Sequence, residues 1–169
     1  MERVLWVVAG VPPHKPDEPV SPLEQRLAMV EAAIAGNPAF EASPADIDRP
    51  GPHYAVGTLR WLAERQPGLQ FAYLMGADSL RDLPTWHTPR EFVQACSLLG
   101  VMRRPDVHVN LPALEAQVTG LSAKVRYFEA PLVDLSGHGI RRRVRAGHSI
   151  RYLVPQAVAE IIQRQGLYR

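Results

Sequence analysis

Three short stretches hold residue types suited to a phosphorylated ligand. The first is Gly10-Val11-Pro12-Pro13-His14-Lys15-Pro16, directly after the apolar run from Arg3 to Val8. Consecutive prolines stiffen the backbone, so His14 and Lys15 would be presented with little entropy left to lose. A rigidly held ammonium suits a phosphate; a solvated proline-rich loop is the plainer reading of the same residues. The second is Gly76-Ala77-Asp78-Ser79-Leu80, followed by Leu83-Pro84-Thr85-Trp86-His87. Glycine at a strand end lets a ligand approach the backbone. Asp78 can accept from ribose hydroxyls, and Trp86 offers a flat face for an aromatic ring. The alternative is that Asp78 caps a helix and Trp86 belongs to the core. The third is Leu135-Ser136-Gly137-His138-Gly139-Ile140-Arg141, a turn of small residues feeding a helix. Free amides at the positive end of a helix dipole make an anion site. Arg141, in the first turn, is the better phosphate candidate; Arg142, Arg143 and Arg145 read as a solvated helix face.

Other chemistries find less support. None of the six histidines (14, 53, 87, 108, 138, 148) pairs with another at i,i+4, and no acidic residue completes a zinc-type motif. No metal site is therefore expected. No nucleophile elbow is present, and Cys96, between Ala95 and Ser97, reads as core.

Those three stretches need strands to carry them. Short apolar, β-branched runs alternate with helix-period segments, the pattern of a βα protein with a mainly parallel sheet. In such sheets ligands bind beyond the carboxyl ends of the strands. Strands are expected over Arg3 to Val8, Phe40 to Ala42, Phe71 to Met75, Leu98 to Met102 and Val125 to Phe128. Ser21-Pro22-Leu23-Glu24 reads as a capping box opening a helix with Leu23, Leu27, Val30 and Ile34 on one face. Thr88-Pro89-Arg90-Glu91 repeats that logic. Further helices are expected over Val56 to Arg65, Pro112 to Val118, Gly139 to Ala146 and Pro155 to Gln165, the last with Gly166 as its C-cap.

The chain of 169 residues, 46% hydrophobic and 21% charged, reads as a single globular domain over residues 1–169. No apolar run approaches the ~20 residues of a membrane span, so no membrane partner is expected. The net charge of +2 is too balanced to imply nucleic acid. Binding of RNA through Arg141 to Arg151 would lack an aromatic platform beyond Tyr152. One cysteine cannot form an internal disulfide, and a cytoplasmic location is the expectation.

The motifs in order resemble bacterial nicotinate-nucleotide adenylyltransferase, over nearly the whole chain. They are Arg3-Val4-Leu5-Trp6-Val7-Val8-Ala9-Gly10 leading into Pro12-Pro13-His14-Lys15; Gln25-Arg26-Leu27-Ala28-Met29; Arg49-Pro50-Gly51-Pro52-His53-Tyr54; Gly76-Ala77-Asp78-Ser79-Leu80 with Leu83-Pro84-Thr85-Trp86-His87; and Ser149-Ile150-Arg151-Tyr152-Leu153-Val154-Pro155. The resemblance implies an α/β, Rossmann-like nucleotidyltransferase fold with a mainly parallel sheet. It also implies adenylyl transfer from ATP to nicotinate mononucleotide, giving deamido-NAD and pyrophosphate in NAD biosynthesis. Mg²⁺ would be bound through the ATP phosphates. By resemblance Trp86 would stack on the nicotinate ring and Tyr54 would line the same pocket. Gly76 and Asp78 would meet the nucleotide ribose, and Lys15 a phosphate. Ser136, Gly137, His138 and Arg141 would occupy the segment that holds the triphosphate.

The chain also departs from that family. The family's first strand and its His-x-Gly-His signature are not in it, so the first βα unit is absent and the catalytic histidines have no counterpart. The missing strand would be central, leaving two neighbours short of hydrogen-bond partners. A partner subunit in a homo-oligomer is one way to fill such a gap. Ala55 stands for a hydroxyl residue, Gly57 for an acidic one, and Gly137-His138 for two hydroxyl residues. Negligible turnover is expected of residues 1–169 alone, and the alternative function is a non-catalytic pyridine-nucleotide-binding paralogue.

Overall fold

The computed structural model describes residues 3–10, 21–131 and 133–169. In chain order the elements are β1 (Val4–Val7), α1 (Leu23–Ile34), β2 (Phe40–Ser43), α2 (Ala55–Arg65), β3 (Ala72–Gly76), α3 (Ala77–Arg81), a 3-10 turn (Leu83–Thr85), α4 (Pro89–Ala95), β4 (Leu98–Met102), α5 (Leu111–Gln117), α6 (Leu121–Lys124), β5 (Val125–Phe128), α7 (Gly137–Arg145) and α8 (Gln156–Arg164). All five expected strands are present, and every ladder is parallel. The strands form two sheets, β1-β2 and β3-β4-β5. Among the described residues β1 pairs with β2, and β4 pairs with β3 on one side and β5 on the other. The chain divides into two compact units, one of Met1–Pro52 with Val133–Arg169, the other of His53–Leu132.

In the second unit one face of the sheet builds the core. Met75, Leu99, Val101 and Val125 pack with Val56 and Leu59 of α2, Leu80 of α3, Leu83, Phe92 and Val93 of α4, and Leu114, Val118 and Leu121. Period-2 alternation sends Leu74, Gly100 and Phe128 to the opposite face. Leu74 and Phe128 stay 47% and 40% exposed there. Gly100, the register partner of Leu74, lets that side chain lie across β4, since a β-carbon would come within 2.6 Å of Leu74 Cδ2.

In the first unit the core is smaller: Ile150, Val158, Ile161, Ile162 and Leu167, with Ala28, Met29 and Ala32 of α1 against them. Small residues let α1 approach α8, so the contact runs along Ala28, Met29 and Ala32. Of the stripe expected at Leu23, Leu27, Val30 and Ile34, Ile34 is buried and the other three are half-buried. Arg26 links the residues after β1 to the start of α1. Its guanidinium donates to the carbonyls of Ala9 (2.5 Å), Gly10 (2.9 Å) and Ser21 (3.0 Å).

Neither expected capping box forms. Pro22 occupies the N-cap position of α1, one residue later than expected, and no side chain caps that end. Thr88 does sit at the N-cap of α4, but in the left-handed region (φ 44°), and its Oγ1 is buried without a hydrogen bond. An N-cap oxygen reaches the helix amides only from extended backbone. The cap at the other end of α4 comes from a distant residue. Lys124 Nζ donates to the carbonyls of Val93 (2.7 Å), Gln94 (3.1 Å) and Cys96 (2.6 Å), placing a cation at the helix C-terminus. Short α6, absent from the sequence reading, is held by Glu115, whose carboxylate accepts from the amides of Gly120 and Ser122, both at 2.7 Å. Gly166 adopts φ +61°, as its expected place after α8 requires.

Lys124→Met keeps the aliphatic stem but strands three carbonyls. It should cost about 1–3 kcal/mol by denaturant unfolding, and a conservative change elsewhere on α6 should not. The amides of Ser122 and Gly120 hold the Glu115 carboxyl below its usual range. A depressed folded-state pKa contributes stability above the unfolded value, near 4.3, and loses it as pH falls through the folded value. The melting-temperature gap between wild type and Glu115→Gln should therefore be full at neutral pH and close on acidification below about pH 4.

Candidate functional site

The parallel ladders of the second unit set Gly76 opposite Met102, and Met102 opposite Phe128. Three strands thus end level, and the residues that follow them share one end of the sheet. Along the wall of a cavity of about 780 Å³ lie Ala77 after β3, Arg103 and Arg104 after β4, and Glu129 after β5. Tyr127, His108 and Asn110 also line it.

Gly76 is the N-cap of α3, and Asp78 lies in the first turn, so the structure sets both where β3 gives way to a helix. A β-carbon on residue 76 would force Asp78 Oδ1 to shift. Asp78 does not cap this helix with its side chain. Its Oδ1 is buried, accepts no hydrogen bond, and faces Arg104 Nε at 3.7 Å. That separation is ion-pair range but beyond a hydrogen bond, which leaves an acceptor free for a hydroxyl. Arg103 lies flat over Tyr127, its guanidinium carbon 4.4 Å from the ring centroid. Arg81 is engaged with Asp82 through bonds of 2.7 and 3.0 Å, and that guanidinium holds the Asp82 carboxyl below its usual range.

Trp86 follows the 3-10 turn and is half-buried, edge-on to Tyr73 (centroids 6.1 Å) and tilted against Phe92 (5.0 Å). Trp86 thus packs against the core, as the plainer of its two sequence readings expects. Tyr54, at the N-cap of α2, stacks on His87 with centroids 4.1 Å apart and planes at 19°.

The other expected residues lie elsewhere. Ser136 is the N-cap of α7 and accepts from the amide of Gly139 at 3.0 Å, so one of the helix-start amides is already occupied. Gly137, His138 and Arg141 follow on α7, in the first unit. Lys15 and His14 fall outside the described residues. Arg103, Arg104 and Tyr127 were not anticipated, although the rule that favoured the loops after β1 and β3 applies equally to the Arg-Arg-Pro turn after β4. Among the described residues no group of three or more His, Cys, Asp or Glu is placed to hold a metal ion. A divalent ion, which nucleotidyltransferases generally use, fits this donor set only as one carried on a nucleotide's phosphates. No helix among the described residues is long and apolar enough to cross a membrane.

Parallel ladders, loops gathered at strand ends and a glycine-aspartate turn define a nucleotidyltransferase-type α/β protein, and the cytidylyltransferase-like family model matches residues 1–143. A probable nicotinate-nucleotide adenylyltransferase of Thermomicrobium roseum is 44% identical over 169 residues, covering 100% of this chain and 78% of its own. Its counterparts in Salinibacter ruber (39% identical, 100% and 84% covered) and Roseiflexus sp. (42%, 100% and 84%) are similar over the same span. The Plasmodium falciparum nicotinic acid mononucleotide adenylyltransferase complexed with NaAD shares the fold. Its TM-score is 0.76 at 14% identity, over 99% of this chain and 83% of that one. The chain belongs to the nicotinate-nucleotide adenylyltransferase family.

Cys96 is buried, and burial pushes its thiol up to about 12 against the opposing pull of Lys124. At pH 8 it should therefore stay unreactive toward an aromatic disulfide reagent and label stoichiometrically once the chain is unfolded. Rapid labelling of the folded protein would contradict this environment.

Proposed function

We propose that this chain acts in NAD biosynthesis by adenylyl transfer, joining ATP to nicotinate mononucleotide with release of pyrophosphate. The observation that carries the reading is the likeness, over the whole of this chain and 78% of its relative, to a probable nicotinate-nucleotide adenylyltransferase. The end of the β3-β4-β5 sheet supports it chemically, with an unbonded Asp78 oxygen, two arginines and an aromatic cluster.

In this reaction the mononucleotide phosphate attacks the α-phosphorus of ATP in line and pyrophosphate leaves. No protein nucleophile is needed, so the chain's task is to position the reactants and neutralise charge. Trp86, wedged against Tyr73 and Phe92, offers its outer surface to the nicotinate ring, and Tyr54 lines the same pocket. Gly76 lets a ribose approach, and Asp78 Oδ1 accepts from its hydroxyl while Arg104 balances the carboxylate charge. Lys15 meets a phosphate. Ser136, Gly137, His138 and Arg141 hold triphosphate oxygens at the start of α7. Mg²⁺ carried on the ATP phosphates would offset charge on the leaving pyrophosphate. The compartment proposed is the cytoplasm.

A second reading, a pyridine-nucleotide binder without turnover, is favoured by Ala55, Gly57 and Gly137-His138 standing at family ligand positions. Calorimetry with nicotinate mononucleotide should show binding, and Trp86→Leu, which keeps much of the packing, should weaken it ~10–100-fold through lost stacking. Pyrophosphate release in a mixture with ATP and Mg²⁺ would carry the enzyme reading. Binding without release would replace it by the second, and no binding would remove both.

A further inference from the structure

Asp78 can grip a ribose hydroxyl only while its carboxylate stays turned toward the ligand, and its own helix does not fix it. The side chain makes no cap on α3. Arg81, on the same helix, is bonded to Asp82. The cation paired with Asp78 comes instead from the loop after β4: Arg104 Nε lies 3.7 Å from Oδ1.

The sheet sets where Arg104 stands. Pairing between β4 and β5 continues one step past the strand, the amide of Arg103 donating to the carbonyl of Phe128 at 3.3 Å. The Arg103 guanidinium, flat over the Tyr127 ring, adds a side-chain anchor beside it. On the other side the amide of Val107 donates to the carbonyl of Arg104 at 3.2 Å, closing a turn with Pro105 in its second position. The backbone is thus pinned both before and after Arg104. Its Nε also lies 3.5 Å from where a β-carbon of residue 76 would stand, so the guanidinium covers the turn from Gly76 to Asp78. At 3.7 Å the attraction is electrostatic and consumes no lone pair of the carboxylate. Asp78 keeps 43% of its side chain exposed and Arg104 52%, and so open a pair contributes little to folding.

We propose that Arg104 is a positioning residue for ribose recognition, holding the Asp78 carboxylate over Gly76 without occupying the acceptor that a hydroxyl needs. The stack of Arg103 on Tyr127 keeps Arg104 in place. The proposal rests on the reading of Asp78 as the ribose acceptor.

Dissociation constants for ATP and 2′,3′-dideoxy-ATP, measured by calorimetry on the full chain, test it. The two nucleotides share base and triphosphate, so their ratio isolates the ribose hydroxyls. Wild type should prefer ATP, and Asp78→Asn should lose that preference. Arg104→Met should reduce it about ten-fold by weakening ATP alone, with the melting temperature unchanged, and Arg104→Lys should restore part of it. Adding Arg104→Met to Asp78→Asn should change the ratio no further, because one residue acts through the other. An unchanged ratio in Arg104→Met, equal weakening of both nucleotides, or full additivity in the double variant would overturn the proposal and leave the ribose reading intact. A wild type that binds both nucleotides equally or neither, or an Asp78→Asn variant that still prefers ATP, would overturn both.

Discussion

The level ending of three parallel strands governs this molecule's chemistry. Parallel pairing fixes direction as well as register. Once Gly76, Met102 and Phe128 stand side by side, the residues after each must emerge together. Asp78, Arg104 and Glu129 come from positions 78, 104 and 129, yet no loop has to reach far to assemble them. A slip of one residue in β4 would turn Leu99 and Val101 out of the core and leave Arg103 facing the wrong side. The buried side of that strand and its polar end are therefore specified by the same pairing.

Core packing reaches the site through one aromatic chain. Tyr73 from β3 meets Phe92 of α4 edge-on at 5.0 Å, and both rings bear on Trp86. Phe92 is fully buried, and α4, which carries it, is finished at its far end by Lys124. The indole thus takes its orientation from the sheet and from a helix fixed at its C-terminus. A side chain on the loop alone would lose more freedom on binding a ring. Tyr54 adds a second link, since it opens α2 with its backbone and stacks on His87 with its side chain.

Much of this is legible in the residues themselves. Runs such as Leu98 to Met102 suggest buried strands because they are short, apolar and bounded by polar residues. Gly76 followed by Asp78 marks a strand end from local chemistry. Arg104 was equally visible by position but carries no local signal, because a doubled arginine before proline looks like any solvated turn. What escaped was decided by distant partners. The α4 C-cap is an amine 28 residues away from Cys96 in sequence, and its identity cannot be read from α4. Ser21 and Thr88 have the right spacing for capping boxes, and a following proline favours the extended backbone a cap needs, so nothing local announces that neither box forms. At Thr88 the outcome is a left-handed residue, and at Ser21 a helix that starts one residue late.

The departures at the start of α2 bear on how far this site has drifted from its family. A hydroxyl or an acid there would lie in the first turn, where an acid partly cancels the helix's positive end. With Ala55 and Gly57 in place, the first turn of α2 holds no acidic residue. The helix still forms normally, with the amides of Gly57 and Thr58 donating to the carbonyl of Tyr54 at 2.9 and 3.1 Å. Ala55 and Gly57 therefore leave that turn without charge and do not disturb the backbone that carries Tyr54.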